Sequence, residues 1–423
     1  MRVDVKRPVK GKSEGLSSPL FSSRALTTLA ALVYNRRCKA GAQVDGSSSA
    51  SDASAGATQI FQTPGNPNHI PRQGRITMSL FVLEKGKLGA FVEKLISRAE
   101  VVGPKKKDGF FVFDVVKSPE EICLDYTSTI LPPKKYLLPQ EEPILRFTLG
   151  ETPQVEPVIE AEERILFGVH PCDLWAIWEM DKVFSDTNKD TNYLARREMT
   201  TIIGLECLNP DEHCFCTSVG TSVPMDEQFD LFFVDIGDVF AVKVGSEKGQ
   251  QLIDESFEEA RSDTLAQIDR VQREKAEKIK ASIKMKVEEI PLFLEGQYNS
   301  PVWKSESEKC YSCGSCVMVC PTCFCFDVYD EVELDMKSGL KIRRWDGCML
   351  PDFALVASGE NFRETREARL RHRIYRKYQY LMVKYGKSFC VGCGRCWRAC
   401  IVDINPVDVL NKLIETADKG EEV

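Results

Sequence analysis

The sequence predicts an α+β protein, an N-terminal α/β-type domain followed by a smaller, cysteine-rich helical domain. Three observations predict it. Short apolar runs alternate with helical patterns through residues 78–248. A long charged stretch with helical spacing follows. Most of the cysteines then bunch between residues 303 and 412.

Within the first region Phe110–Val116 and Ile165–Val169 read as strands. Phe232–Asp235 and Val239–Val244 read as a strand pair around the turn Gly237–Asp238. Strands interleaved with helices imply a layered α/β arrangement. Residues 249–302 are expected to form an amphipathic helical linker. Leu252, Phe257, Leu265, Ile268 and Val271 make its apolar stripe, with Glu258, Glu259, Arg270, Arg273 and Lys275 on the other faces. In the cysteine-rich region Asn361 could cap a helix running from about Arg363 to Tyr385, which Gly386 would end. A last short helix is expected after Pro406, then a flexible tail over 413–423. Residues 1–77 carry eleven Lys and Arg against four Asp and Glu, with a Ser/Ala/Gly tract. They are expected to be a disordered leader, either a targeting segment or a stretch upstream of a true start at Met78.

The chain has 423 residues, 43% of them hydrophobic, and a net charge of −7. That size suits two or three domains. A mildly acidic surface without clustered Lys and Arg argues against a nucleic-acid partner. No apolar run approaches the roughly 18 residues of a membrane span. The protein is expected to be cytoplasmic.

Seventeen cysteines are the informative count. They are odd in number and cluster at two- and three-residue gaps, which suits metal binding better than a disulfide framework. The first run is Cys310, Cys313, Cys316, Cys320 and Pro321. The second is Cys390, Cys393, Cys396, Cys400 and Ile401. Both are C-x2-C-x2-C-x3-C, the bacterial ferredoxin pattern, in which three cysteines hold one [4Fe–4S] cluster and the fourth crosses to the other. The second domain therefore reads as a bacterial-ferredoxin-like dicluster domain. The expected ligand sets are Cys310, Cys313, Cys316 and Cys400 for one cluster, and Cys390, Cys393, Cys396 and Cys320 for the other. Gly314 and Gly394 are expected to let the backbone approach inorganic sulfur. Structural zinc usually takes two C-x2-C pairs instead. The insert 321–389 is longer than a small ferredoxin's link, and it could dock a partner.

The other cysteines stand in suggestive contexts. C-x-C pairs place both thiols on one side of a strand. A third metal centre, a further Fe–S cluster, is therefore proposed from Cys172, Cys207, Cys214, Cys216 and Cys348, against the alternative of buried thiols. Cys123 reads as a core residue and Cys38 as incidental. His170, His213 and His372 are candidate ligands or proton carriers, His213 foremost because it adjoins Cys214.

Several motifs in order carry a family resemblance. They are Pro132 to Pro139, Phe167-Gly-Val-His170-Pro-Cys172-Asp173, Cys214-Phe-Cys216, Trp345-Asp-Gly-Cys348 and Asn361-Phe-Arg363. Arg369-Leu-Arg-His372 and the second cysteine run follow. Together they resemble the beta subunits of cytoplasmic sulfhydrogenases and the iron–sulfur A subunit of anaerobic sulfite reductase. The resemblance spans about residues 79–412. It implies a non-catalytic redox subunit of an anaerobic oxidoreductase complex. Such a subunit sits beside a flavoprotein that oxidises NAD(P)H. It feeds a hydrogenase, a sulfite reductase or a heterodisulfide-reductase-like catalytic subunit. The alternatives are a self-contained flavin- or deazaflavin-dependent iron–sulfur reductase, or a zinc or scaffold protein. No G-x-G-x-x-G or P-loop marks a nucleotide site.

Overall fold

The computed structural model describes residues 79–419. The expected leader 1–77, Cys38 and the end of the expected tail lie outside the described residues.

The chain begins with β1 (Leu80–Glu84), α1 (Leu88–Arg98), β2 (Glu100–Lys107) and β3 (Phe110–Val115). β4 (Glu141–Thr148), β5 (Gln154–Pro157) and β6 (Arg164–Val169) follow, then α2 (Pro171–Phe184) and α3 (Thr191–Met199). Next come β7 (Thr200–Leu205), β8 (Leu231–Asp235), β9 (Val239–Val244), β10 (Phe257–Glu259) and α4 (Thr264–Lys278). β11 (Phe326–Val332) and β12 (Ser338–Trp345) form a hairpin inside the cysteine-rich region. α5 (Arg366–Tyr375) continues through a π-helical turn to Tyr385, and α6 (Pro406–Asp418) closes the chain.

Eight strands form one sheet in the order β10-β1-β9-β8-β7-β6-β2-β3. Its centre, β8-β7-β6-β2, is parallel and its flanks are antiparallel. Those central strands are apolar on both faces, as a parallel sheet covered on both sides requires. Leu166, Ile202, Ile203, Leu231 and Val234 are all fully buried. Crevices at the carboxyl ends of parallel strands are where α/β sheets present functional groups. β6 ends there on His170-Pro171-Cys172, and β7 on Glu206-Cys207.

A second, four-stranded antiparallel sheet has the order β11-β12-β4-β5. It joins a segment of the N-terminal region to the insert between the cysteine runs. Its junction is pinned by buried charge: Arg343 Nη2 and Arg196 Nη2 each lie 2.5 Å from Glu142, and Arg343 also pairs with Asp190.

Three expectations are corrected. The tail expected to be flexible from 413 is, as far as Asp418, the end of α6, because Leu413 and Ile414 are buried in the core. Residues 249–302 are not a continuous helical linker. Asp254 caps a turn, accepting from Ser256 N at 2.9 Å, which breaks the helical path. It turns Phe257 into β10, paired with Leu83 of β1. Leu265, assigned to the apolar stripe, is 55% exposed. The helix after residue 361 starts later than expected. Asn361 accepts from Arg363 N at 3.0 Å within a turn, and Thr365 is the cap, accepting from Ala368 N at 3.1 Å. Gly386, at φ +76°, ends the helix as anticipated.

Candidate metal centres

The two cysteine runs fold alike. In each, a left-handed glycine (Gly314 φ +76°, Gly394 φ +71°) opens a single helical turn, Ser315–Met318 or Arg395–Arg398. Val317 N and Met318 N donate to Gly314 O, as Trp397 N and Arg398 N do to Gly394 O. Cys320 and Cys400 follow as the turn unwinds. These glycines are needed for more than an approach to sulfur. A Cβ on Gly314 would stand 2.7 Å from the Leu350 side chain, and one on Gly394 would stand 2.7 Å from the His213 backbone.

A cavity is lined by Cys390, Cys393 and Cys396 of the second run and by Cys320 of the first. Arg373 and Lys377 complete its wall. The four cysteines are buried. In the other expected set Cys310, Cys316 and Cys400 are half-buried in one apolar cluster, while Cys313 is exposed. Ser312 N donates to Cys310 Sγ at 3.4 Å and Ile404 N to Cys400 Sγ at 3.2 Å, the kind of amide contact that tunes a thiolate-held cluster.

The sequence reading missed the cations that serve these thiols. Arg369, Arg373 and Lys377 recur every four residues on the buried face of α5 and its π turn. Arg369 Nη2 donates to Ser312 Oγ at 2.7 Å, Arg373 Nη2 to Cys316 O at 3.4 Å, and Lys377 Nζ to Cys320 Sγ at 3.4 Å. The helix thus runs beside the first run and meets it at every fourth position. A basic stripe where an apolar one belongs was the available signal. Lys134, also missed, is buried beneath Trp345 and donates to Cys320 O and Cys323 O at 2.9 and 2.8 Å. Burying cations is costly unless negative charge answers them. Among the described residues Lys377 donates to a thiol, a hydroxyl and a carbonyl; burial pushes the nearby Glu179 carboxyl towards its neutral form, and thiolates carrying a cluster would supply the answering charge. The Tyr378 hydroxyl, otherwise unpartnered, faces Cys390.

The same balance shows in the thiols. Burial alone would raise Cys320, but Lys377, aided by Arg373 and Thr322, holds it below its ordinary value. Burial pushes Cys390 up to about 11, Lys377 opposing, and Cys393 up to about 12, Arg395 opposing. Cys316 rises to about 12 by burial.

A separate cavity is lined by Cys172, Cys207, Cys214 and Cys216, with His170 and Lys275 beside them and Cys393 and Arg395 on the shared wall. Lys275 comes from α4, a helix to which the sequence reading gave no chemistry. Burial raises Cys172 well above the ordinary thiol value and Cys216 to about 11. Cys348 was grouped with these four, and the structure corrects that grouping. It follows β12, which delivers it to another cavity with Cys320, Cys323 and Cys325. Of the histidines, His170 lines the four-cysteine cavity, stacked on Tyr126 at 3.8 Å and kept neutral by burial. His213 Nδ1 lies 2.8 Å from Asp211. His372 sits apart, packed against Tyr380, and is lowered to about 4 by burial with Arg363 and Arg376 nearby. Cys123 is half-buried and donates to Asp125 O at 3.5 Å.

Among the described residues no three His, Cys, Asp or Glu side chains converge as the ligands of a single ion would. A lone zinc needs its donors within about 2.3 Å of one centre. A cubane takes one thiolate at each of its four irons, and Cys320, Cys390, Cys393 and Cys396 supply four around one cavity.

The 4Fe–4S dicluster domain family matches residues 309–404. The chain is also 38% identical over 328 residues to the sulfhydrogenase 2 subunit beta of Pyrococcus furiosus, an alignment covering 77% of this chain and 95% of that protein. The chain belongs to the sulfhydrogenase beta-subunit family. Like the dicluster proteins it matches, this sulfhydrogenase beta-type chain carries two [4Fe–4S] clusters and is an iron–sulfur electron-transfer subunit. No solved structure matches it. Among the described residues no helix is long and apolar enough to cross a membrane.

Proposed function

We propose that this chain relays single electrons inside an anaerobic, cytoplasmic oxidoreductase complex. It would stand between a flavin-containing subunit that oxidises NAD(P)H and a catalytic subunit of hydrogenase or sulfite-reductase type. Cys310, Cys313, Cys316 and Cys400 would hold one cluster, and Cys390, Cys393, Cys396 and Cys320 the other. Clusters saturated by thiolates supply one-electron transfer, tuned by hydrogen bonds and burial. The protein's part is to exclude water, orient the thiolates and offset their charge with Arg373, Lys377 and Lys134.

One observation carries the reading. Cys320, from the first run, lines the same cavity as Cys390, Cys393 and Cys396. A cavity shared in this way is what the crossed ligation of a dicluster ferredoxin would require. The name of the Pyrococcus furiosus relative supports a place beside hydrogenase subunits. The test is Cys320→Ala in protein purified without oxygen. The spectrum of one cluster should be lost or reduced to a three-iron form while the other persists. If both clusters keep their full iron and their paramagnetic signals, the crossed assignment is wrong.

A further inference from the structure

Four cysteines outside the matched segment 309–404 share one cavity: Cys172, Cys207, Cys214 and Cys216. They arrive from three separate places. Cys172 is the second residue of α2, just past the carboxyl end of β6. Cys207 follows β7 by two residues. Cys214 and Cys216 lie in the loop beyond it. β6 and β7 are adjacent and parallel, so their carboxyl ends open side by side. All four thiols are free of disulfides.

Ordinary packing explains why a cysteine is buried, but not why four from three segments face one space. Two buried cations, Lys275 and Arg395, line the same space. Lys275 Nζ is 2.5 Å from Glu206 and Arg395 is paired with Asp173 at 2.6 Å. Each cation is already answered by a buried carboxylate, so the wall is close to charge balance and it is the four converging thiols that call for an occupant. We infer that Cys172, Cys207, Cys214 and Cys216 hold a third [4Fe–4S] cluster, in the α/β domain and next to the dicluster pair.

Its position follows from contacts with the second run. Cys393 lies on the wall of this cavity as well as in the dicluster cavity. Phe215 N donates to Gly392 O at 2.8 Å, and Thr221 Oγ1 to Val391 O at 2.8 Å. A Cβ on Gly392 would stand 2.5 Å from the Cys216 backbone, so the two loops touch with nothing between them. One electron can leave the cluster bounded by Cys393 as one arrives here. No bond forms or breaks, and no proton is required. This extension of the route rests on the two-cluster relay proposed above; the site itself does not.

The experiment counts iron and acid-labile sulfide on the full chain purified without oxygen, with spectra of the reduced protein. About twelve irons per chain are expected, as three cubanes of four require. Cys214→Ser/Cys216→Ser should lower the count to about eight and leave the two dicluster signals intact. Cys323→Ser/Cys325→Ser, in the neighbouring cavity, should leave the count unchanged. Cys172→Ser is the milder variant and should convert the third signal to a three-iron type. About eight irons in the unaltered chain with Cys172, Cys207, Cys214 and Cys216 open to alkylation would overturn the site. So would a loss that follows Cys323 and Cys325 instead, or one zinc in place of the additional iron. Failure of the relay reading is seen separately, as Cys320→Ala leaving both dicluster signals whole.

Discussion

The two cysteine runs share one backbone and have opposite surroundings. In the first, Cys313 is exposed and Tyr311 beside it is 67% exposed. In the second, Cys390, Cys393 and Cys396 are all buried, wedged against the 213–216 loop and the ends of β6 and β7. The position after the left-handed glycine shows the contrast. It is Ser315 in the first run. In the second it is Arg395, which forms a two-pronged buried pair with Asp173 and donates to Thr129 O at 3.0 Å. Identical local geometry thus serves two purposes. The first run leaves Cys313 near solvent, the end at which a partner's redox group would approach in the proposed relay. The second fastens the dicluster domain to the α/β sheet.

The largest expected effect tests that fastening. Arg395→Met leaves the Asp173 carboxylate buried without its partner and should destabilise the protein by roughly 3–5 kcal/mol. Ser315→Ala at the matching position should change stability by under about 0.5 kcal/mol. Thermal unfolding of the two anaerobic variants reads the difference, and equal losses would dissolve the contrast between the runs. The next test compares Ser312 with Gly392, which occupy the same step of each run with positive φ of +57° and +61°. Gly392→Ala must displace the Cys216 backbone and should lose on the order of 2 kcal/mol or more. Ser312→Gly relieves backbone strain but gives up the Arg369 bond, so it should fall within about 1 kcal/mol of neutral. A harmless Gly392→Ala would mean that the loops are not in contact.

Much of this was legible in the residues. The strands expected at Phe110–Val116, Ile165–Val169, Phe232–Asp235 and Val239–Val244, the helix end at Gly386 and the helix after Pro406 rest on local signals, and the structure has each of them, with bounds shifted by no more than a residue at the strands. What escaped was long-range. No local pattern says that Lys134 will reach a cysteine run 186 residues away, or that Lys275 will enter a cavity from a charged helix. The misplaced cap at Asn361 and the mistaken helix through Phe257 were lost to turns formed by short polar side chains. The separation of Cys348 from Cys172 depends on β12 pairing with β4, which periodicity cannot reveal.

Smaller effects sharpen the comparison further. Lys377→Met removes a positive charge beside Cys320 and should lower the midpoint potential of the second cluster. The shift should be on the order of 100 mV, the equivalent of roughly 2 kcal/mol for one charge at short range. A potentiometric titration that shows no shift would remove Lys377 from the tuning of that cluster. Thr365→Ala uncaps α5, whose first turn brings Arg369 to Ser312 of the first run, and should lower stability by about 1 kcal/mol. Faster iron release from the first cluster than from the second should accompany it. Release from both at one rate would detach α5 from the first run.

The mixed parentage of the four-stranded sheet has a bearing on biosynthesis. Glu142 meets Arg343 across 201 residues of sequence, so a nascent chain that has emerged only as far as residue 300 holds β4 and β5 with one edge still unpaired. The first cysteine run leaves the ribosome before the hairpin that fills that edge, and the second leaves after it. Iron delivered too early would find half of its thiols absent, so maturation should wait until nearly the whole polypeptide has been made.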